Sequence, residues 1–443
     1  MALERPTMLA RLALITALTL AGPLLANWPQ WRGPNSNGTA PGARDLPVNW
    51  NQTQNVVWRT KLPSWSAATP IVWENTIFIT SAEEGSAKLH GGFGGFRFGG
   101  SGPDKIFLLA INRKDGSIRW RKQIDSGNQL FRKQNSASPS PMTDGKRVWI
   151  MTGNGKLACL TIDGAEVWKR DIQKDYGQFG LNHGYGSTPL MYGERLYVQV
   201  VHGMRTSDPS YVFAVDRSSG KTIWKVERPT DAIRESHDNY GTPQIATVGG
   251  ARHLVIAGGD YVTGHDLENG KELWRIGGFN PGGDPANRTI SSALVVGGYV
   301  FANGNRGRPY IGFRAGGSGN LTGKAELWTN GLGADVPSPT TDGKYIYVTG
   351  DSGIMNCIEA ETGKIAYQGK RIEYGTYSAS PLLADGKIYS TNEDGTTTVI
   401  KVGPVFEVMG QGKLEDFTLA SPVAVDNQIF IRTADYLYCI QKR

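Results

Sequence analysis

Cysteine is scarce: Cys159, Cys357 and Cys439 are the only three in 443 residues, and no two are adjacent. So few exclude a densely disulfide-stapled fold, and the odd count leaves either one bridge with a free thiol or three unpaired thiols. Lys and Arg never gather into a block, and the net charge of +7 is spread along the chain. That distribution speaks for solubility, hints only weakly at acidic ligands, and gives no footprint for nucleic acid. There is no Gly-x-x-x-x-Gly-Lys-Ser/Thr phosphate loop, no His-Glu-x-x-His pair and no Gly-x-Ser-x-Gly elbow, so the chemistries those motifs serve have no signature here. A long apolar helical face is missing too, whereas turn formers and aromatics are abundant, with 58 Gly, 23 Pro, 12 Trp and 17 Tyr. This composition fits pleated strands joined by tight turns, an all-β chain.

The first 26 residues differ from the rest. Arg5 and Arg11 precede the apolar stretch Leu12 to Ala21, the breaker pair Gly22-Pro23 follows, and Leu24-Leu25-Ala26 leads into polar sequence. This is the pattern of a secretory signal peptide. The competing reading, a membrane helix, needs about 20 apolar residues, more than the run supplies. No Cys stands near the expected cut, so no lipid anchor is expected. The expected mature chain starts near Asn27, is periplasmic or secreted, and has no transmembrane segment.

What fills the remainder is a repeat. Eight turns end in Pro70, Pro141, Pro189, Pro243, Ala293, Pro339, Pro381 and Pro422, each preceded by Ser or Thr, at spacings of 71, 48, 54, 50, 46, 42 and 41 residues. A four-stranded propeller blade takes roughly 40–50 residues, so the first interval holds one large insertion. The second copy shows the plan. Asp144-Gly145-Lys146 turns into Arg147 to Thr152, Gly153-Asn154-Gly155 makes the next hairpin, and Asp163-Gly164 turns Lys156 to Leu160 into a last strand carrying Trp168. Asp-Gly and Asn-Gly between alternating strands are strong hairpin signals. Trp120, Trp224, Trp274 and Trp328 recur at the same place, with Tyr367 in blade six and no Trp in blade seven. Each Cys aligns with an Ala of other blades on a third strand, which predicts three separated, buried thiols.

The eighth copy ends after its third strand. Val56 to Lys61, before the first opening, has the fourth-strand pattern and is expected to complete it, leaving no open edge. The chain therefore divides into a signal peptide (1–26), an N-terminal extension (27–49) and an eight-bladed β-propeller (50–443). A seven-bladed ring with a loose end is the competing closure. Two segments break the plan: the Gly-rich stretch within 90–102, either a ligand-covering loop or a solvated insertion, and blade five, where Pro and Gly interrupt 280–288 and 306–320.

The strand ends Gly220-Lys221-Thr222-Ile223-Trp224, Gly270-Lys271-Glu272-Leu273-Trp274 and Gly323-Lys324-Ala325-Glu326-Leu327-Trp328 resemble the tryptophan-docking repeats of the pyrroloquinoline-quinone (PQQ) propeller superfamily. The resemblance covers residues 50–443, and Trp28-Pro29-Gln30-Trp31-Arg32-Gly33-Pro34 resembles the start of exported PQQ-like propellers of planctomycete-type bacteria. It implies either an eight-bladed dehydrogenase using PQQ and calcium or a cofactor-free, BamB-like periplasmic scaffold. The enzymatic branch carries two adjacent cysteines and a calcium site built from Glu, Asn and Asp. No Cys-Cys pair exists here, and no matching calcium motif is evident, so the expectation is a monomeric scaffold or binding protein without cofactor. A quinoprotein-type oxidoreductase or carbohydrate-active enzyme is the alternative.

Segments just before each first strand reach one face of a propeller, so polar residues there converge. His183, Tyr185, Glu235, His237, Tyr240, Arg288, Arg306, Asp335, Tyr374 and Tyr377 are the candidate funnel residues, suited to a small polar ligand or a protein partner. The same groups could instead only satisfy buried backbone at the ring centre. His183 and His237 each precede their Pro by six residues and are expected on one rim, yet spacing offers no third metal ligand.

Overall fold

Each Ser/Thr-Pro opening leads into an antiparallel four-stranded sheet. In blade two the strands are Met142–Thr143, Arg147–Met151, Lys156–Thr161 and Glu166–Asp171, hydrogen-bonded in that order. Eight such sheets make an eight-bladed propeller. The computed structural model describes residues 27–83, 104–131 and 133–443; the expected signal peptide and the Gly-rich insertion at 90–102 lie outside the described residues. Val56–Lys61 pairs antiparallel with Tyr436–Gln441, with Trp58 opposite Cys439, and so supplies the last blade's fourth strand. The seven-bladed alternative is excluded.

Seams between blades follow one rule. The Trp58 indole N–H donates to the Arg113 carbonyl of the next blade at 2.9 Å, and the ring lies on Gly116, whose φ is +77°. A Cβ there would stand 2.6 Å from the indole, so both the left-handed backbone and the close approach demand glycine. Trp120, Trp168, Trp224 and Trp328 repeat the bond to the following blade at 2.9–3.1 Å. Trp274 departs, donating to His253 Nδ1 of its own blade at 3.0 Å. The reason lies in blade five, whose interrupted segment sends Gly319–Asn320 to pair parallel with blade four's outer strand, at Trp274 and Arg275. Cys159, Cys357 and Cys439 are unpaired and buried, and burial pushes their thiols up to about 11, 12 and 12.

Residues 27–49 are no appendage. Trp28 pairs with Val72 of blade one, Pro29 accepts from Thr143 of blade two at 2.8 Å, and Gln30 from Met191 of blade three at 3.0 Å. The segment then crosses the ring. Arg32 donates to the Ser338 carbonyl of blade six at 2.9 Å, and Thr39–Ala40 adds a parallel strand to the inner edge of blade seven. Ala43, Leu46 and Trp50 pack with Tyr389 and Leu414 of blade seven and Val425 of blade eight. Trp50 lies on Gly412, whose Cβ would come within 1.8 Å of its ring. The strap thereby fills the seam that blade seven, lacking its own Trp, leaves unfilled.

The Ser/Thr of each opening has a shared role at the axis. Its backbone N–H donates to the hydroxyl of the same residue one blade on, from Thr69 to Ser140 (3.0 Å) around to Ser421 and back to Thr69 (3.2 Å). Eight bonds form a closed circle.

Candidate functional site

The connections entering blades three to six supply one continuous polar rim. In blade four a 3-10 turn, Arg234–His237, is clasped by Ser236, whose hydroxyl accepts from the Ile233 N–H and donates to its carbonyl, both at 2.9 Å. The turn holds Glu235 against the blade-three connection, with Oε1 3.1 Å from His183 Nε2 and 3.2 Å from Asn182 Nδ2. Arg288, entering blade five, places Nε 3.8 Å from the same oxygen and Nη2 3.5 Å from Asp335 Oδ2, entering blade six. Asp335 Oδ1 in turn accepts the Arg306 backbone N–H at 3.2 Å. The four side chains His183, Glu235, Arg288 and Asp335 are 14–21% exposed, which leaves them reachable yet partly desolvated.

Beneath the rim lies a buried carboxylate. Asp238 accepts the backbone N–H groups of Asn182 (2.7 Å), Gly203 (3.1 Å) and Met204 (3.2 Å) and the Tyr240 hydroxyl (3.3 Å). Burial pushes its pKa up to about 6, outweighing those four donors, which favour the charged form. The Tyr240 oxygen also accepts the His183 N–H at 3.1 Å, so the rim's first residue is fixed from below. Asp335 is likewise raised by burial, with Arg288 pulling the other way.

Not every expected funnel residue faces the funnel. Tyr185 and Tyr377 are buried in blade cores, donating to the carbonyls of Gln199 (3.1 Å) and Glu373 (2.8 Å). Both stand four residues before their Pro, whereas Tyr240, which lines the axis, stands three before. Neighbours along an extended segment point opposite ways, so in blades three and seven these rings turn into the core while Tyr240 faces the axis. His237 does not join His183. Its ring packs on Gly203, where a Cβ would approach within 2.5 Å; burial lowers its pKa, with Asp260 and Arg228 nearby. Equal register fails here because blade four's connection is helical at that point. Tyr374 is 75% exposed beneath the Arg371 guanidinium, 5.0 Å away, and forms no wall of the rim. Arg306 is exposed and reaches the rim through its backbone. Arg205, which holds Asn182 Oδ1 at 2.9 Å, comes from a blade-three loop with no repeat signal, so register reasoning passes over it.

The axial cavity measures about 150 Å³, below the ~300–1,000 Å³ usual for cofactor pockets, and the three thiols lie in separate blades. Among the described residues no group of three or more His, Cys, Asp or Glu is placed to hold a metal ion.

The profile of a family described as outer membrane protein assembly factor BamB matches residues 103–367 and 317–403. The assembly factor BamB of Yersinia pestis is 25% identical over 354 residues, spanning 78% of this chain and 76% of that protein. Among solved structures, BamB from Moraxella catarrhalis superimposes with a TM-score of 0.58 at 14% identity, covering 88% of this chain and 97% of that one. Quinohemoprotein alcohol dehydrogenase from Comamonas testosteroni reaches 0.64 at 11% identity, covering 94% and 80%. At such identities the two structures share the fold with this chain and carry nothing further.

Proposed function

The chain belongs to the family described as outer membrane protein assembly factor BamB, and from that premise we propose that it is an exported, non-catalytic scaffold holding a polypeptide partner against the rim of blades three to six. The observation that carries this reading is the Glu235 carboxylate, shared by His183 and Asn182 and flanked by Arg288. Charges of alternating sign held at both ends lose little side-chain entropy on binding, which favours recognition of a polar backbone and charged side chains. The proposed compartment is the periplasm, with Asn27 at or near the mature start. No helix among the described residues is long and apolar enough to cross a membrane.

A photo-crosslinking residue at Arg205 or Arg306 in the exported protein tests the reading, with Met409 on the outer strand of blade seven as the control position. Both rim positions should give the same identified protein adduct and the control none. Adducts only at Met409, or none at the rim, would overturn it. The catalytic alternative is tested separately, by titration with PQQ and calcium followed by dye reduction with alcohols and aldoses; tight binding with turnover would replace the scaffold reading.

A further inference from the structure

Two octets of residues, one of each per blade, line the propeller axis. The first is the hydroxyl ring. The second stands two residues earlier in each blade and is bulky in blades four, five, six and eight, as Tyr240, Ile290, Val336 and Leu419. Together with Trp31 and Gln134 they surround the cavity of about 150 Å³. Each ring hydroxyl accepts one backbone N–H, at 2.8–3.3 Å. Among the described residues none of the eight donates to a protein atom. A hydroxyl has one proton and two lone pairs, so with one lone pair engaged around the circumference its proton is left for the axis. Eight O–H donors therefore share one small chamber.

Two buried cations reach residues at or beside the chamber's lining, Ser338 and Ser66. Arg32, beside Trp31, donates to the carbonyls of Ser338 (2.9 Å), Asn37 (2.7 Å) and Pro339, and to no carboxylate. Arg432 donates to the carbonyls of Ser64 (2.9 Å) and Thr80 (2.7 Å) and to the Ser66 hydroxyl, again to no carboxylate. Both are buried, and a buried cation without a counter-charge is costly unless an anion lies within its field. Carboxylates that touch lining residues are already matched: Glu393, on Ser378, by Lys133 at 2.6 Å, and Asp238, on Tyr240, by three backbone N–H donors.

We propose that this axial chamber is a binding site for a small monovalent anion, of halide to formate size, held by the ring hydroxyls in the field of Arg32 and Arg432. The paired strands Leu130–Phe131 and Gln134–Asn135 bring Gln134 onto its lining. Gln134 donates to the carbonyls of His183 and Gly184, and its oxygen fills the space over Gly186, where a Cβ would stand 2.1 Å away. Lys133 pairs with Glu393 of blade seven.

Bromide is the probe. In crystals grown with bromide as the sole halide, anomalous scattering should give a peak on the axis within hydrogen-bond reach of the ring hydroxyls. In solution, Tm should rise saturably with bromide relative to gluconate at equal ionic strength, as for a ligand that binds only the folded state. Val336→Phe, which fills the chamber without replacing a ring hydroxyl, should fold and lose that rise; Ala67→Leu fills it from blade one should the first variant fail to fold. No axial peak, or a folded filled variant that keeps the full bromide response, overturns the proposal.

Discussion

Ser421 donates its backbone N–H to Thr69 Oγ1 at 3.2 Å, joining the entry of the last blade to that of the first across 352 residues. This bond is the last of the circle at the axis. The ring is therefore closed twice, by hydroxyls at its centre and by Val56–Lys61 at its periphery.

Thr69→Val keeps the side-chain shape and removes the acceptor. The Ser421 N–H would then be buried without a partner, at a cost of about 1–3 kcal/mol. Thr69→Ser keeps the acceptor and should be nearly neutral. Urea denaturation of the three proteins separates these outcomes, and equal midpoints for Thr69→Val and wild type would show that the circle contributes no stability.

Gly116→Ala tests the seams. Its φ is +77° and the added Cβ would stand 2.6 Å from the Trp58 ring, so left-handed strain and overpacking together should cost about 2–5 kcal/mol. Gly127→Ala is the control. There φ is +79° with nothing within 4 Å, leaving strain alone, about 1–2 kcal/mol. Thermal unfolding should rank the two variants in that order.

These cases also mark what residues alone can reveal. Seven Ser/Thr-Pro turns and one Ser-Ala turn count the blades, and Val56 to Lys61 is recognisable as a strand without a local partner because its pattern matches the docking strands elsewhere. Their place a few residues before each first strand also brings His183, Glu235, Arg288 and Asp335 to one rim. Register is blind to direction, however: Tyr185 and Tyr377 fall one residue off the channel-facing position, and His237 sits in a helical turn that its counterpart His183 lacks. The strap 27–49 carries no repeat, so its path across the ring, and the replacement of a missing Trp by Trp50, depends on tertiary contacts that no periodicity encodes.

Asp238 predicts a pH dependence of stability. Its folded pKa of about 6 lies above the ordinary aspartate value of 3.8, so between those values the folded state binds more protons than the unfolded one. Stability from this group is therefore fully present below pH ~4, falls as pH rises towards 6, and is flat above, with a total on the order of 2–3 kcal/mol. Asp238→Asn removes the titration but also loses an acceptor for the Asn182 N–H. Its destabilisation relative to wild type should shrink by about that amount between pH 4 and 7. Chemical denaturation at pH 4, 5, 6 and 7 measures the difference, and a constant gap would contradict the raised pKa.

Arg288 is the residue on which a structural and a recognition role for the rim diverge. It stands between two carboxylates, 3.8 Å from Glu235 and 3.5 Å from Asp335, and opposes the burial that raises Asp335. Arg288→Ala should therefore raise the Asp335 pKa further, while Arg306→Ala, which keeps the backbone contact and removes a weaker charge, should raise it less. Carboxyl chemical shifts followed through a pH titration would report both. No docking Trp is touched, so the ring should keep its fold. With a partner identified by crosslinking, loss of a charge-assisted hydrogen bond should weaken binding by about 1–3 kcal/mol in Arg288→Ala. A shifted Asp335 with unchanged affinity would assign Arg288 to holding the rim together, whereas a shift with weakened binding would make it a contact in recognition.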